Sequence, residues 1–487
     1  MNIQSVLYIG LYVLAAFGIA IGLVLSLGAG LHLETRYRRF MFPVVLPLVA
    51  VGIALATILS NRTLAVAGLD DSGVSLGLPI TVPGEGGRAT WPLRFVTLLI
   101  LASSFALIFG SVARRRAALP GQPLFLAFAA FFITNVLLSA AFGTAPQFVL
   151  NHYYSVFVFL AAFLSREQAP EDVIRAGKFA LMLLLAGSLV ALFVKRSLVL
   201  QQPYTFGWIP GLRIRLWGLA SHANSIGPMA LLFLLLELHT PALSRLNRLM
   251  GLGVAAIVIV LAQSKTVWVI GLLLVGVLYL YRVGPQWRES WRLGRIHARL
   301  AAHLSILLLI LLLAYVFILA GDPGKYWERF EQSSAGEQAF GLSGRSVIWQ
   351  VAIDVWKQNP VFGYGPKLWD PVFRQSIGMN FAFHAHNQLL QSLSASGTVG
   401  VIGFFAYVLT LLYYATRLAS QSAGLSLALG LFLVVRAMTE TPFSTGTMFV
   451  GDFLIHALAF GYFIRMAARL PSAVHGSMYS VAARPAP

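Results

Sequence analysis

The sequence lacks cysteine altogether and carries little charge. Of its 487 residues, 11% are charged and 58% are hydrophobic, whereas a soluble domain has about a quarter of its residues charged. Without cysteine the chain can form no disulfide, no thiolate-ligated iron–sulfur cluster and no thiol nucleophile. The low charge excludes an ordinary soluble domain, and what remains is the composition of a chain that lies largely in lipid.

Acidic residues are also scarce, since 17 Asp and Glu stand against 35 Lys and Arg. Much of the positive charge lies in short blocks between apolar runs, at 35–40, 113–118, 244–249 and 282–300. Short cytoplasmic loops of membrane proteins collect such residues. Nucleic-acid binding needs a contiguous basic surface, which scattered blocks do not supply, so we expect membrane lipids and no nucleic acid as partners.

Apolar runs of about 17–25 residues, the length that crosses a bilayer, recur along the chain. The predicted spans are 5–31, 41–60, 93–112, 124–143, 148–165, 178–196, 224–240, 249–264, 266–283, 304–320, 397–416, 424–441 and 448–466. The first run is long and follows no basic segment, which predicts a transmembrane helix and not a cleaved signal peptide. The sequence therefore predicts an all-α polytopic membrane protein with about 12–13 transmembrane helices.

One connection stands out by its length and composition. Residues 321–396 are rich in tryptophan and other aromatics, which a disordered linker rarely carries, and 346–358 has the apolar spacing of an amphipathic helix. We expect an ordered external loop domain here, between a transmembrane bundle at 1–320 and further transmembrane helices at 397–470. The small, polar residues 471–487 are expected to form a disordered cytoplasmic tail.

The stretch "FHAHNQLLQSLSASGTVG" places His384 and His386 directly before a long apolar run. Asn387 suits a helix N-cap, so His386 is expected at the mouth of one helix that runs to about residue 417. Gly397 lies three turns further on, near the same side, and Gly400 follows; such glycines allow close packing of another helix. An imidazole placed at the external interface can accept a proton from a hydroxyl group.

Several cations lie in external connections, where the topology of a membrane protein does not require them. Arg213 and Arg215 precede a span, Arg345 begins the amphipathic helix, and Lys265 occupies a short turn between two spans. Guanidinium groups bind phosphate oxygens bidentately, which favours recognition of a phosphorylated lipid. The alternative is that each cation reaches toward lipid headgroups.

The longer pattern His386–Asn387, nine residues, Gly397, two residues, Gly400 resembles the signature of bacterial O-antigen ligases. That family also includes O-antigen polymerases and protein O-oligosaccharyltransferases. The segment "RLWGLASHAN", which begins at Arg215 and includes His222 and Asn224, and the segments "GRSVIW" and "NPVFGYGP" are similar to its loops. Lys265 stands where relatives commonly have Ser-Arg.

The resemblance implies a GT-C-like fold in the bacterial inner membrane, with the active site at the periplasmic face under the long loop. It implies a glycan on undecaprenyl pyrophosphate as donor, and lipid A–core as acceptor for a ligase. His386 is then the catalytic general base, and an in-line attack inverts the anomeric configuration. The expected substrate-binding residues are Arg213, Arg215, Lys265, Arg345, His384 and Asn387.

No cofactor or metal is expected. Asp70 and Asp71 are the one adjacent external acidic pair in the sequence, and a turn explains them more simply than a metal site does. Arg436 and Glu440 lie four residues apart and can share one helix face. Charges inside a membrane are functional by default, but mutual neutralisation of the two explains them equally well, so they are left outside the expected site.

Three other functions remain open at this stage. A polymerase uses the same donor with a second carrier-linked glycan as acceptor, and a protein O-oligosaccharyltransferase uses a protein hydroxyl. A lipid-linked glycan transporter is the alternative outside the enzymes. Transporters place their polar residues near the membrane midplane, whereas the residues singled out above lie in connections on one side.

Overall fold

The structure is a computed structural model. It describes residues 41–64, 91–112, 121–165, 169–204, 209, 211–293, 345–379 and 382–469, together with Ile21 and Val24. We number its helices along these residues. They are α1 (Met41–Leu59), α2 (Trp91–Val112), α3 (Gln122–Phe142), α4 (Tyr154–Leu164), α5 (Pro170–Val194), α6 (Arg196–Val199), α7 (Ala223–His239), α8 (Arg245–Ala262), α9 (Lys265–Arg292), α10 (Arg345–Gln358), α11 (Pro371–Ser376), α12 (Gln388–Arg417), α13 (Leu425–Thr439) and α14 (Gly451–Ala467).

The described residues confirm an all-α polytopic membrane protein. Seven of their helices are long and apolar enough to cross a membrane, and three shorter apolar helices accompany them. Each predicted span that falls within the described residues coincides with a helix. The predicted spans 5–31 (apart from Ile21 and Val24) and 304–320 lie outside the described residues, as does the predicted tail at 471–487.

The last helix, α14, forms the centre of the bundle. Every residue of α14 except Asp452 is buried, and the helix packs against α1, α4, α5, α7, α12 and α13. A helix that is apolar on all sides belongs in the interior of a bundle. The helices around it expose large apolar side chains on their outer faces, as lipid-facing helices do.

Helix α12 begins where the sequence predicts but is interrupted. The Asn387 side chain caps it by accepting a hydrogen bond from the Leu390 N–H (3.1 Å). The prediction of one uninterrupted helix is wrong at Gly397, whose φ of 66° and ψ of −166° are not helical. A Cβ on Gly397 would collide with the carbonyl of Val361, so a loop, and not a second helix, approaches this glycine.

That loop is the "NPVFGYGP" segment, which fills the interruption in α12. The Pro360 carbonyl accepts from the Thr398 N–H (2.8 Å), and the Tyr364 N–H donates to the Ser394 carbonyl (2.9 Å). Backbone groups that lose their helical partners at Gly397 therefore find partners in the loop. Gly400 does face a helix, because the Asn135 side chain of α3 donates to its carbonyl (2.8 Å).

The predicted amphipathic helix is present as α10, and it packs on α12. Its buried residues and those of the following segment form a small apolar cluster of their own. The cluster consists of Ile348, Ala352, Val355, Leu368, Trp369, Phe373, Met379, Ala382 and Ala385. The Trp349 side chain also donates to the Ala385 carbonyl (2.9 Å). These contacts tie the His384–His386 segment to α10.

Two short strands, β1 (Leu200–Gln201) and β2 (Arg215–Leu216), pair antiparallel before α7. Within the described residues, these two are the strands of the structure. The pairing places Arg215 opposite Gln201, in the loop that leads to the N-terminus of α7.

Candidate active site

Four helix ends meet around the carboxylate of Glu440. The N-termini of α7, α10 and α12 bring Asn224, Arg345 and His386 to it, and Glu440 itself is the residue that directly follows α13. Glu440 is 6% exposed, so its carboxylate depends on these neighbours in place of water.

The two histidines of the opening motif share one oxygen of this carboxylate. His386 Nδ1 lies 3.0 Å from Glu440 Oε2, and His384 Nε2 lies 3.6 Å from the same oxygen. The two imidazole rings are 4.0 Å apart between centroids. The backbone N–H of His386 donates to His384 Nδ1 (3.1 Å), which fixes one ring relative to the other.

Asn224 links the other oxygen to a buried arginine. Its Nδ2 donates to Glu440 Oε1 (3.2 Å), and its Oδ1 accepts from Arg215 Nη2 (2.9 Å). Arg215 also donates from Nε to the Ala262 carbonyl (3.2 Å) and lies over the ring of Tyr204. Arg215 is 9% exposed as a residue, and its side-chain contacts hold the guanidinium in a defined place.

Arg345 approaches the carboxylate from α10. Its Nη1 donates to the Thr439 carbonyl (3.0 Å), and its Nη2 lies 3.6 Å from Glu440 Oε1. Two guanidinium groups, those of Arg215 and Arg345, thus flank a single carboxylate, and the cluster has an excess of positive charge.

The electrostatics of the cluster keep Glu440 ionised. Burial acts to raise the pKa of Glu440, but His386, His384 and Arg345 outweigh it and hold the pKa well below its usual range. Burial, followed by the effect of His386, lowers the pKa of His384 to about 3. At neutral pH the Glu440 carboxylate is therefore charged and the His384 ring is neutral.

The other predicted substrate-binding residues lie at different distances from this centre. Lys265 is the first residue of α9, three residues after the Ala262 carbonyl that binds Arg215. The Arg213 side chain is exposed on the loop before β2. The Asn387 amide caps α12 and donates to the Met438 carbonyl (3.4 Å), so it joins α12 to the end of α13.

Glu440 is the residue that sequence reasoning missed. The interpretation that Arg436 and Glu440 neutralise each other is wrong, because the described ion pair of Arg436 is with Asp452 of α14. Helix α13 ends at Thr439, and Glu440 turns toward the histidines. The signal in the sequence was that charges within membrane segments are usually functional, and pairing with Arg436 was the competing explanation that set it aside.

Arg62 is a second residue that the sequence reading did not single out. It follows α1 and donates to the carbonyls of Leu198 (2.9 Å), Gly218 (2.8 Å) and Ser221 (2.8 Å). These three carbonyls belong to the segment that carries Arg215. Arg62 therefore braces the loop that presents the buried guanidinium.

Folding also brings together ligand types that a metal could use. His384, His386 and Glu440 each offer one ligand atom, and these atoms lie within 4.8 Å of one another. Two nitrogens and an oxygen are ligands that zinc accepts. The hydrogen bond into His384 Nδ1 leaves the proton of that neutral ring on Nε2, so a metal would first have to displace it. Asp70 and Asp71 lie outside the described residues.

The arrangement has the parts that proton transfer beside a phosphate requires. The His386 side chain is 26% exposed, and its imidazole contacts the buried carboxylate of Glu440. The guanidinium groups of Arg215 and Arg345 lie close by. A cleft opens beside the cluster; its lining residues are Asn224, Pro228, Ser264, Thr266, Val267, Ile270, Phe432, Arg436, Thr439 and Glu440. The fold and the site together define a polytopic membrane protein with a His–Glu–Arg centre, built on a buried carboxylate, at the ends of its helices.

Comparison with known proteins relates part of the chain to a family. Residues 250–405 match the family model described as O-antigen ligase, which confirms the resemblance drawn from the sequence. The chain is also similar to the exopolysaccharide production protein ExoQ of Rhizobium meliloti, with 28% identity over 142 residues. That similarity covers 25% of this chain and 32% of ExoQ, so the chain spans about a third of the relative that it matches. Both matched descriptions, O-antigen ligase and exopolysaccharide production, concern bacterial glycans.

Proposed function

We propose that the protein is an O-antigen ligase. It would transfer a glycan from undecaprenyl pyrophosphate to a sugar hydroxyl of lipid A–core, at the periplasmic face of the bacterial inner membrane. The observation that carries the proposal is the convergence of His386, Arg345 and Arg215 around Glu440, within a chain whose residues 250–405 match the O-antigen ligase family.

In this scheme the donor needs little activation, because its anomeric carbon already carries a diphosphate leaving group. The acceptor hydroxyl needs a base, and His386 supplies it. The leaving diphosphate needs compensation for its growing negative charge, and Arg215 and Arg345 supply it as fixed, buried or half-buried cations. Lys265 and the exposed Arg213 contribute at the edge, as further cations on the path of the diphosphate.

The route of each atom follows from these roles. The acceptor oxygen gives its proton to the imidazole and forms the new bond to the anomeric carbon. The bond from that carbon to the diphosphate oxygen breaks, and its electron pair stays on the diphosphate. Attack opposite the leaving group inverts the anomeric configuration, and no step calls for a metal ion.

The protein's similarity to ExoQ favours one alternative in particular. That relative is named for exopolysaccharide production, which suggests a growing glycan and not lipid A–core as acceptor. A polymerase would use the same centre with a second carrier-linked glycan, so the residues around Glu440 do not separate the two reactions. A protein hydroxyl is the third acceptor that the same chemistry admits.

The test is a reaction of the purified full chain in lipid nanodiscs with a carrier-linked glycan and one acceptor at a time. The acceptors are lipid A–core, a second carrier-linked glycan, and a serine-containing peptide. We expect the glycan to appear on lipid A–core, with inverted configuration. Extension of the carrier-linked glycan alone would replace the ligase with the polymerase, and no transfer to any acceptor would contradict a transferase.

A further inference from the structure

Glu440 makes contacts that distinguish the two nitrogens of His386. Its Oε2 lies 3.0 Å from Nδ1 of His386, and its Oε1 is turned to Asn224 and Arg345. An ionised carboxylate has no proton to donate and can only accept. In the hydrogen bond between them, the proton must therefore be on Nδ1 of His386.

The neighbouring ring is fixed in the opposite sense. Nδ1 of His384 accepts from the backbone N–H of His386 (3.1 Å), so a neutral His384 carries its proton on Nε2. His384 Nε2 lies 3.6 Å from Glu440 Oε2, so its proton faces that oxygen. The two histidines thus present one N–H each to the same oxygen, His384 through Nε2 and His386 through Nδ1.

The backbone of His386 supports the same orientation. Its φ of 48° lies in the left-handed region, which costs a residue other than glycine roughly 1–3 kcal/mol. The N–H of His386 is bonded to His384, and Asn387 begins α12 immediately afterwards. A strained residue held by contacts on both sides is a common feature of functional sites.

We propose that Glu440 is a positioning residue, which holds His386 as the Nδ1–H tautomer and so makes Nε2 the atom that takes the proton from the acceptor hydroxyl. This inference rests on the proposed function, in which His386 is the base. Asn224 extends the arrangement, because the same carboxylate is connected through it to Arg215.

Glu440 also has a role after the proton has moved. The protonated His386 ring then carries a positive charge, and the carboxylate at 3.0 Å stabilises it. The charged and titratable groups around His386 and its carboxylate are Glu440, His384, His222, Arg345, Arg215 and Arg436. Only Glu440 among these six is an anion, so its removal would leave a protonated ring among neutral or positive groups.

The test compares Glu440→Gln with wild type in the transfer assay. Gln keeps the size of the side chain but removes the charge. We expect kcat to fall by roughly 10²-fold or more while KM for the donor stays close to the wild-type value. We also expect the acid limb of the pH–rate profile to move to lower pH, because the anion that stabilises the protonated ring is gone. Glu440→Asp, which keeps the charge, should restore part of kcat and bring the limb back toward the wild-type pH.

Glu237→Gln is the matched control, since Glu237 is also buried but lies near the other end of α7. It should leave the pH–rate profile unchanged. Wild-type kcat and an unmoved acid limb in Glu440→Gln would overturn the proposal. A raised KM for the donor with unchanged kcat would also overturn it, because Glu440 would then act on donor binding.

A second measurement requires neither the Glu440 variants nor an activity assay. Nitrogen NMR of the ¹⁵N-histidine-labelled full chain reports which ring nitrogen carries the proton, and the signal absent from His386→Ala identifies the residue. We expect the Nδ1–H form for His386, and finding the Nε2–H form would overturn the proposal. If His386→Ala were still fully active, the proposed function would fail whichever tautomer is found, so the two failures are distinguishable.

Discussion

Two buried carboxylates, Glu440 and Glu237, lie in the same bundle with opposite surroundings. Glu237 pairs with Lys178 and accepts from the Ala242 N–H (2.7 Å), and Lys178 also donates to the Thr240 carbonyl (2.8 Å). The pair is a balanced ion pair closed by backbone groups. Glu440 instead faces two histidines and Arg345, and Asn224 links it to a second guanidinium.

The difference shows why burial of a charge does not by itself indicate function. When the charges of a buried ion pair cancel, neither group needs a further charged partner, and the pair belongs to the structure of the fold. A cluster with more cations than anions, beside a half-exposed imidazole, can accept an anionic ligand and a proton. The comparison predicts that substitutions at the two carboxylates will separate stability from catalysis.

The largest expected effect is the loss of catalysis in His386→Ala, which removes the base that contacts Glu440. We expect glycan transfer to fall by roughly 10²- to 10⁴-fold, because a general base contributes that much, while binding of the carrier-linked donor persists. His239→Ala, near the other end of α7, serves as the control and should keep transfer. Loss of donor binding with intact transfer per bound donor would contradict the role assigned to His386.

Glu237→Gln should show the opposite behaviour. Breaking a buried ion pair by removing one partner costs about 3–5 kcal/mol, so the midpoint of thermal unfolding should fall clearly. The turnover of the molecules that remain folded should equal that of wild type. A large loss of turnover in folded protein would mean that this pair also serves the reaction and that the contrast with Glu440 does not hold.

Arg345→Lys keeps the charge but loses the planar fork of the guanidinium. A hydrogen bond to a charged group contributes about 1.5–3 kcal/mol, so we expect transfer to slow by roughly 10- to 100-fold, measured as kcat/KM for the donor. Arg175→Lys is the matched control, since Arg175 forms an exposed pair with Asp172. Equal turnover in wild type and Arg345→Lys would remove Arg345 from the site.

The lowered pKa of His384 predicts that the stability of the protein depends on pH. This effect is smaller than those of the three substitutions above. Its pKa in the folded protein is about 3, below the ordinary value of about 6.5. Between these values the unfolded chain binds the additional proton, so stability falls as the pH decreases from about 6.5 toward 3. His384→Gln should make thermal unfolding less dependent on pH in this window. An unchanged slope would show that His384 is not held neutral.

The smallest expected effect is that of chelation. His384, His386 and Glu440 could offer a metal three ligand atoms, but the proposed steps use no metal. Transfer should therefore be the same with and without excess EDTA, measured in protein purified without added metal. Inhibition by EDTA that zinc or magnesium reverses would show that the three residues hold an essential ion.

The apolar parts of the fold could be predicted from the sequence because their signal is local. Length and hydropathy locate spans such as α1 and α2, helical spacing locates α10, and Asn387 marks the start of α12. The interruption at Gly397 could not be predicted, because its cause is a loop about 36 residues earlier in the chain, and only the folded structure brings Val361 to it.

Only part of the candidate site could be predicted from the sequence, for the same reason. Arg345 and His386 lie in motifs that can be read locally, but Glu440 is 54 residues from His386 in the chain. Local reading paired Glu440 with Arg436, whereas folding supplies Asp452 to Arg436. Arg62 acts through three carbonyls more than 130 positions away, a distance at which no spacing rule applies.

The most direct test of the account is a structure of the full chain in nanodiscs with undecaprenyl pyrophosphate bound. We expect the diphosphate within hydrogen-bonding distance, about 3 Å, of the Arg215 and Arg345 guanidinium groups, with space for the anomeric carbon and the acceptor oxygen between its terminal phosphate and Nε2 of His386. A diphosphate bound elsewhere, with Arg345 still directed only at Thr439 and Glu440, would contradict the claim that this cluster is the catalytic centre.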